Sequence, residues 1–232
     1  MLLGACGSAG PAAGATTPLP SSGPREQLTI MAVGDSITAG AEYYRPILID
    51  LLAQERCRVD FVGSMMDGDA NARDPEHEGH AGYRADELAG ELVQWAVAAE
   101  PDAVLLFVGI NDLLQGQTPT TTALDIETLV SRLHSADPRV RIFIGLLAPL
   151  AEHETEVAEL NRSLVDLVDQ LNRSTRTATV VAVDLSEGFE PGVHLSSDGV
   201  HPNPEGSALM ARAWFDAYFK TLGDRSCDPL DS

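Results

Sequence analysis

Asp198-Gly199-Val200-His201, read with Gly34-Asp35-Ser36 far upstream, puts a carboxylate, an imidazole and a serine hydroxyl in one chain. These are the three groups of a nucleophilic triad. Asp198 and His201 lie three residues apart, so one tight turn can hold both. A hydroxyl is a weak nucleophile at neutral pH and needs a base within hydrogen-bond reach. His201 is the candidate base and, later, the acid for a leaving alkoxide. Asp198 is the candidate for holding His201 in the right tautomer. Each residue alone has an ordinary reading: Ser36 as a helix N-cap, Asp198 as an Asp-Gly turn residue, His201 as a turn histidine. Their combination favours chemistry.

Three donors are candidates for an oxyanion hole: the backbone N–H of Ser36, the backbone N–H of Gly82 and the side-chain amide of Asn111. Gly82 would let the backbone approach a substrate without a Cβ, though alone it is a loop glycine. Alone, Asn111 is a strand-end turn former. Asp35 and Asp112 read as structural, bonding loop N–H groups. His194 reads as lining or supporting the pocket. His77 and His80, with Asp67, Asp69, Asp74 and Glu76, fit no standard zinc spacing, so this segment reads as a polar loop shaping a cleft, with no metal. Trp95, Trp214 and Phe215 read as core. Tyr43, Tyr44 and Tyr83 are candidates for stacking on sugar rings.

Hydropathy patterning supplies the elements that must position these groups. Strands are expected at Leu28–Val33, Val59–Val62, Ala103–Val108, Val140–Leu147 and Thr179–Val183. Helices are expected at Tyr44–Glu55, Ala85–Ala99, Thr122–Ser135, Glu154–Ser174 and Pro204–Leu222. Met65 to Gly82 reads as loop. The continuous apolar run Ala103–Val108 suits a central parallel strand buried on both faces. Five strands alternating with helices imply an α/β fold, a three-layer α/β/α sandwich on a five-stranded parallel sheet, flavodoxin-like. In that sheet Ser36, Gly82, Asn111 and the Asp198/His201 turn all fall at the C-terminal edge, where open α/β sheets place their sites.

Gly34-Asp35-Ser36, Gly82, Gly109-Ile110-Asn111-Asp112 and Asp198-Gly199-Val200-His201 resemble, in order, the four blocks of the SGNH (GDSL-like) hydrolase superfamily. Val33 to Gly40, Tyr44-Arg45-Pro46, Phe61 to Ser64 and His77-Glu78-Gly79-His80-Ala81-Gly82-Tyr83 are similar to carbohydrate esterase family 3, the acetyl xylan esterases. The resemblance implies a serine esterase without cofactor, removing acetyl groups from a polysaccharide such as xylan through an acyl-enzyme on Ser36; the acidic net charge favours a neutral one. Two alternatives stay open: a lipase or thioesterase of the same superfamily, and a non-catalytic carbohydrate-binding protein.

Composition sets outer bounds. The 232 residues, 44% hydrophobic, suit one α/β domain over 26–232. The formal charge of −20, from 15 basic and 35 acidic residues, argues against nucleic acid or anionic lipid as partner. Leu3-Gly4-Ala5-Cys6 resembles a bacterial lipobox, and residues 1–25 read as a flexible Pro/Gly/Ser-rich tether. A charged n-region and most of an apolar h-region are missing before Cys6. The expectation is an extracellular or cell-surface lipoprotein with a shortened signal, its only membrane contact through Cys6. Cys57 and Cys227 follow the first and last predicted helices, which pack on one face of a flavodoxin-like sheet, so a disulfide between them is open, as are two free thiols.

Overall fold

The computed structural model describes residues 27–67, 72–150, 152–174 and 179–228. Cys6, the tether and Asp69 lie outside the described residues.

Strand β1 (Leu28–Gly34) is the axis of the sheet. On one side it pairs in parallel with β5 (Ala103–Phe107), followed by β6 (Arg141–Leu146) and β7 (Val180–Asp184). On its other side two strands share its edge. β2 (Val59–Val62) pairs along Leu28 to Met31, and β4 (Glu76–Gly79) continues at Val33 and Gly34. β3 (Met65–Met66) lies antiparallel on β4. Apart from β3, every pairing is parallel, as crossover connections require.

Helices cover both faces. α2 (Tyr44–Gln54) packs with α8 (Pro204–Ser226) on one, while α3 (Ala85–Ala99), α5 (Pro119–Ala136) and α6 (Glu154–Ser174) run side by side on the other. Leu88, Ala89, Leu92 and Ala96 form the buried stripe of α3 at helical spacing. Every residue of β5 is buried, because helices cover it from both sides. Trp214 and Phe215 lie in the core as expected, but Trp95 is only partly buried: it packs against the margin of the core and its indole stacks on the His80 ring.

The expected sheet is present, with its five strands placed within one residue at each end. Met65 to Gly82 differs from its reading as loop: it holds β3 and β4. Glu-His-Glu-Gly has poor strand propensity; it is extended because the upper edge of β1, left open where β2 stops, needs hydrogen-bond partners. α5 begins three residues ahead of the expected Thr122, since Thr118 accepts from the Thr121 N–H at 3.2 Å and Pro119 fits the first turn. α8 continues past the expected Leu222 to Ser226. Three short helices were not expected: α1 (Ser36–Ala39), α4 (Ile110–Leu114) and α7 (Pro191–His194). Each is about one turn, too short for hydropathy periodicity to register.

Candidate active site

β1 delivers Ser36 to the C-terminal edge of the sheet. Asp35 caps α1, its Oδ1 accepting from the Ile37 N–H at 3.0 Å. As the first residue of α1, Ser36 has no acceptor for its N–H within the helix. Its Oγ stands 2.9 Å from His201 Nε2. His201 Nδ1 stands 2.8 Å from Asp198 Oδ2. The other oxygen, Asp198 Oδ1, accepts from the backbone N–H of Val200 at 2.9 Å and of His201 at 3.0 Å. Those two backbone bonds come first in holding the Asp198 carboxyl down at about 2; the His201 side chain adds to them. An ionised carboxylate only accepts, so Nδ1 carries the proton and Nε2 offers a lone pair to the Ser36 hydroxyl. The Tyr43 ring covers the imidazole, centroids 5.6 Å apart and planes within 12°.

The expected oxyanion donors come from the neighbouring strands. Tyr83 N–H bonds His80 O at 3.1 Å and closes a turn in which Gly82 sits at φ +84°, a conformation that favours glycine. A Cβ there would meet nothing within 4 Å, so the position faces open space. Asn111, in α4 after β5, donates from Nδ2 to Tyr83 O at 3.1 Å. An amide nitrogen has two hydrogens, leaving one for another acceptor. Four residues on, Gln115 donates to Gly82 O at 3.3 Å and accepts from Arg84 at 2.6 Å. Nothing in the type or spacing of Gln115 signals this role; it follows from placing one turn of helix beside another loop.

Asp35 and Asp112 make the loop bonds expected of them. Burial pushes the Asp35 carboxyl up to about 7, and among the described residues its Oδ2 has no hydrogen-bond partner. Burial likewise pushes Asp112 up to about 6, while its oxygens accept from the Ala85 N–H at 3.2 Å. His194 braces the loop that carries Asp198 and His201: its Nδ1 accepts from Glu190 N–H at 2.8 Å and its carbonyl from Asn203 N–H at 2.9 Å.

The tyrosines separate. Tyr83 is exposed and Tyr43 half-buried, but Tyr44 is fully buried against Trp214 with its hydroxyl on Thr38 Oγ1 at 3.1 Å, so it cannot stack on a sugar. In the polar segment after Met65, polar side chains find partners within the fold. Arg45 meets Asp67 at 2.6 Å, His80 meets Glu78 at 2.6 Å, and Asp74 accepts from Phe61 N–H at 2.9 Å. Burial pushes His77 down to about 4, and its Nδ1 accepts from Gly79 N–H. A cleft of about 600 Å³ beside Pro101, Leu133 and Val140 opens at the opposite edge of the sheet, away from these groups.

Residues 32–209 match the GDSL-like Lipase/Acylhydrolase family, a span that holds Ser36, Gly82, Asn111, Asp198 and His201. The chain belongs to this family. Among solved structures, this acylhydrolase resembles a family 3 carbohydrate esterase from Clostridium thermocellum at TM-score 0.78 and 29% identity, covering 87% of this chain and 100% of that one. It also resembles a carbohydrate esterase family 3 structure from Talaromyces cellulolyticus at TM-score 0.76 and 28% identity, covering 86% and 100%. The fold is therefore that of the SGNH hydrolases. In sequence it is 25% identical over 221 residues to a multidomain esterase of Ruminococcus flavefaciens, covering 82% of this chain. The chain spans 28% of that protein's length, and 55% of a second sequence relative.

Proposed function

We propose that this hydrolase is a serine esterase that removes acetyl groups from a neutral polysaccharide such as xylan, with Ser36 as nucleophile. The observation that carries the reading is the unbroken relay from Asp198 through His201 to Ser36, with bonds of 2.8 and 2.9 Å.

Ser36 Oγ attacks the ester carbonyl carbon while its proton passes to His201 Nε2. The oxyanion takes bonds from the Ser36 N–H, the Gly82 N–H and the free hydrogen of the Asn111 amide. His201 then gives its proton to the departing sugar oxygen, leaving acetyl-Ser36. Water, giving its proton to His201, attacks that ester; the bond from the acyl carbon to Ser36 Oγ then breaks, His201 returns the proton to Oγ, and acetate is released. Asp198 stays ionised and steadies the imidazolium in both halves.

The preference for acetyl groups on carbohydrate is supported by the similarity to family 3 carbohydrate esterases and to an acetyl esterase crystallised with acetate. The net charge of −20 disfavours anionic polymers and leaves neutral ones. The Cys57–Cys227 disulfide suits an oxidising compartment outside the cytosol, and a lipid on Cys6 would hold the enzyme at a surface there.

Hydrolysis of p-nitrophenyl acetate, butyrate and octanoate, with Ser36→Ala as control, tests the reading, followed by acetate release from acetylated xylan. Acetate turnover is expected to exceed octanoate and to fall by on the order of 10⁶-fold in the variant. Undiminished turnover by Ser36→Ala would sink the mechanism. A long-chain preference would move the substrate to lipids or thioesters. Carbohydrate binding with no ester turnover would make this a binding protein.

A further inference from the structure

His80 joins the two halves of the site. Its N–H donates to Gly34 O at 2.8 Å, two residues ahead of the nucleophile, and its carbonyl accepts from Tyr83 N–H at 3.1 Å. One residue thus ties the strand that delivers Ser36 to the turn that presents Gly82. Its side chain is held from three directions. Nε2 lies 2.6 Å from Glu78 Oε1, the ring lies 4.4 Å from the Trp95 ring at 13°, and 5.1 Å from the Tyr83 ring at 28°.

Glu78 has no exposed surface. A buried carboxylate is costly unless donors converge on it. Here the donors are His80 Nε2, the Ser64 N–H at 2.7 Å and the Ser64 hydroxyl at 2.6 Å. Two of the three bonds therefore anchor Glu78 to Ser64, just past β2, and the third fixes the imidazole. None of these groups takes part in the triad.

We propose that Glu78 and His80 are positioning residues for the oxyanion donor: their pair sets where the Gly82 N–H stands relative to Ser36 Oγ. The proposal rests on the esterase reading above. An oxyanion donor acts on charge that develops in the transition state, and a misplacement of about 1 Å can cost 10²-fold in rate. Releasing His80 should therefore lower kcat and leave KM nearly unchanged.

The test compares His80→Ala, which removes the bond to Glu78, with His80→Gln, whose amide nitrogen can reach Glu78, and His80→Asn, which is too short. A p-nitrophenyl alkylphosphonate, which caps a reactive serine, counts competent sites by its final burst, so kcat is expressed per competent site whatever fraction folds. His80→Ala and His80→Asn are expected to lose about 10- to 100-fold in kcat per site. KM should stay within about twofold, phosphonylation should slow in step, and His80→Gln should recover most of the loss. A wild-type kcat per site in the alanine variant, a loss confined to KM, or equal kcat in the Gln and Asn variants would overturn the proposal. Should His80→Ala fail to fold, the Gln–Asn comparison still decides. A wild-type protein that turns over no ester and titrates no site would instead remove the esterase reading.

Discussion

Asp35 is one residue from Ser36, yet its chemistry belongs to folding. Its Oδ1 caps α1, and burial holds its carboxyl near 7 instead of 3.8. Between those two values the native state keeps a proton that the unfolded chain has lost. Stability must therefore fall as pH rises through that window, by at most about 1.4 kcal/mol per pH unit for one proton. Below the unfolded value both states are protonated and the effect vanishes. Asn at this position keeps a capping oxygen of similar strength and carries no titrating proton. The melting temperature of Asp35→Asn, relative to wild type, is expected to climb steadily from about pH 4 to about pH 7. Asp112, raised to about 6, has the same sign but is common to both proteins and cancels. A constant offset across the range would show that Asp35 does not hold the proton. At this scale the proposed triad was legible because Asp198 and His201 share one turn and Ser36 closely follows a strong strand. Gln115 and the Glu78–His80 pair were not, since each works through a backbone group or side chain that only packing brings near.

At the scale of elements, the helix that carries Ser36 stands on a platform of two glycines. Gly34 of β1 and Gly79 of β4 are register partners, and α1 rests against both. A Cβ at Gly34 would lie 2.2 Å from Phe107 O and 2.4 Å from Thr38 Oγ1; one at Gly79 would lie 2.4 Å from Ala39 N. At Gly79 the obstructing atoms are backbone of α1 itself, so the helix must move. Gly79→Ala is expected to cost about 1–3 kcal/mol in stability, as overpacking does, and to lower kcat because α1 carries Ser36. Urea unfolding and ester turnover check both; a variant as stable and as fast as wild type would show that α1 is not seated on the sheet this way. The same region marks where sequence reading ran out. The Val/Leu/Ile-rich strands announce themselves because they are buried on both faces. β4 does not: it reads Glu-His-Glu-Gly, and its two buried polar side chains find their partners only in the folded chain, His77 at the Gly79 N–H and Glu78 at Ser64 and His80. Strand here is imposed by the open edge of β1, a tertiary demand that local propensity does not report.

At the scale of the whole molecule, chemistry and covalent reinforcement occupy opposite edges of the sheet. Ser36 leaves the C-terminal end of β1. α2 then returns the chain to the other edge, where Cys57 precedes β2 and is bonded to Cys227 at the end of α8. Arg58 N–H to Ser226 O at 2.9 Å pairs the two segments beside the bridge. The link spans 170 residues of sequence, nearly the full length of the sheet's connectivity. Closing so long a loop in the unfolded chain removes conformational entropy equivalent to about 5 kcal/mol in the chain-entropy account, and losses of about 2–5 kcal/mol are usual when a native bridge is removed. The double replacement Cys57→Ser/Cys227→Ser is therefore expected to lower unfolding stability in urea by that amount. Its kcat and KM in the folded baseline should match wild type, because the bridge ties α2 to α8 at the edge away from Ser36 and His201. Unchanged stability would mean that contacts between α2 and α8 already hold those ends together without the bond. A fall in kcat under conditions where the variant is fully folded would mean that the far edge of the sheet governs the geometry of the near one.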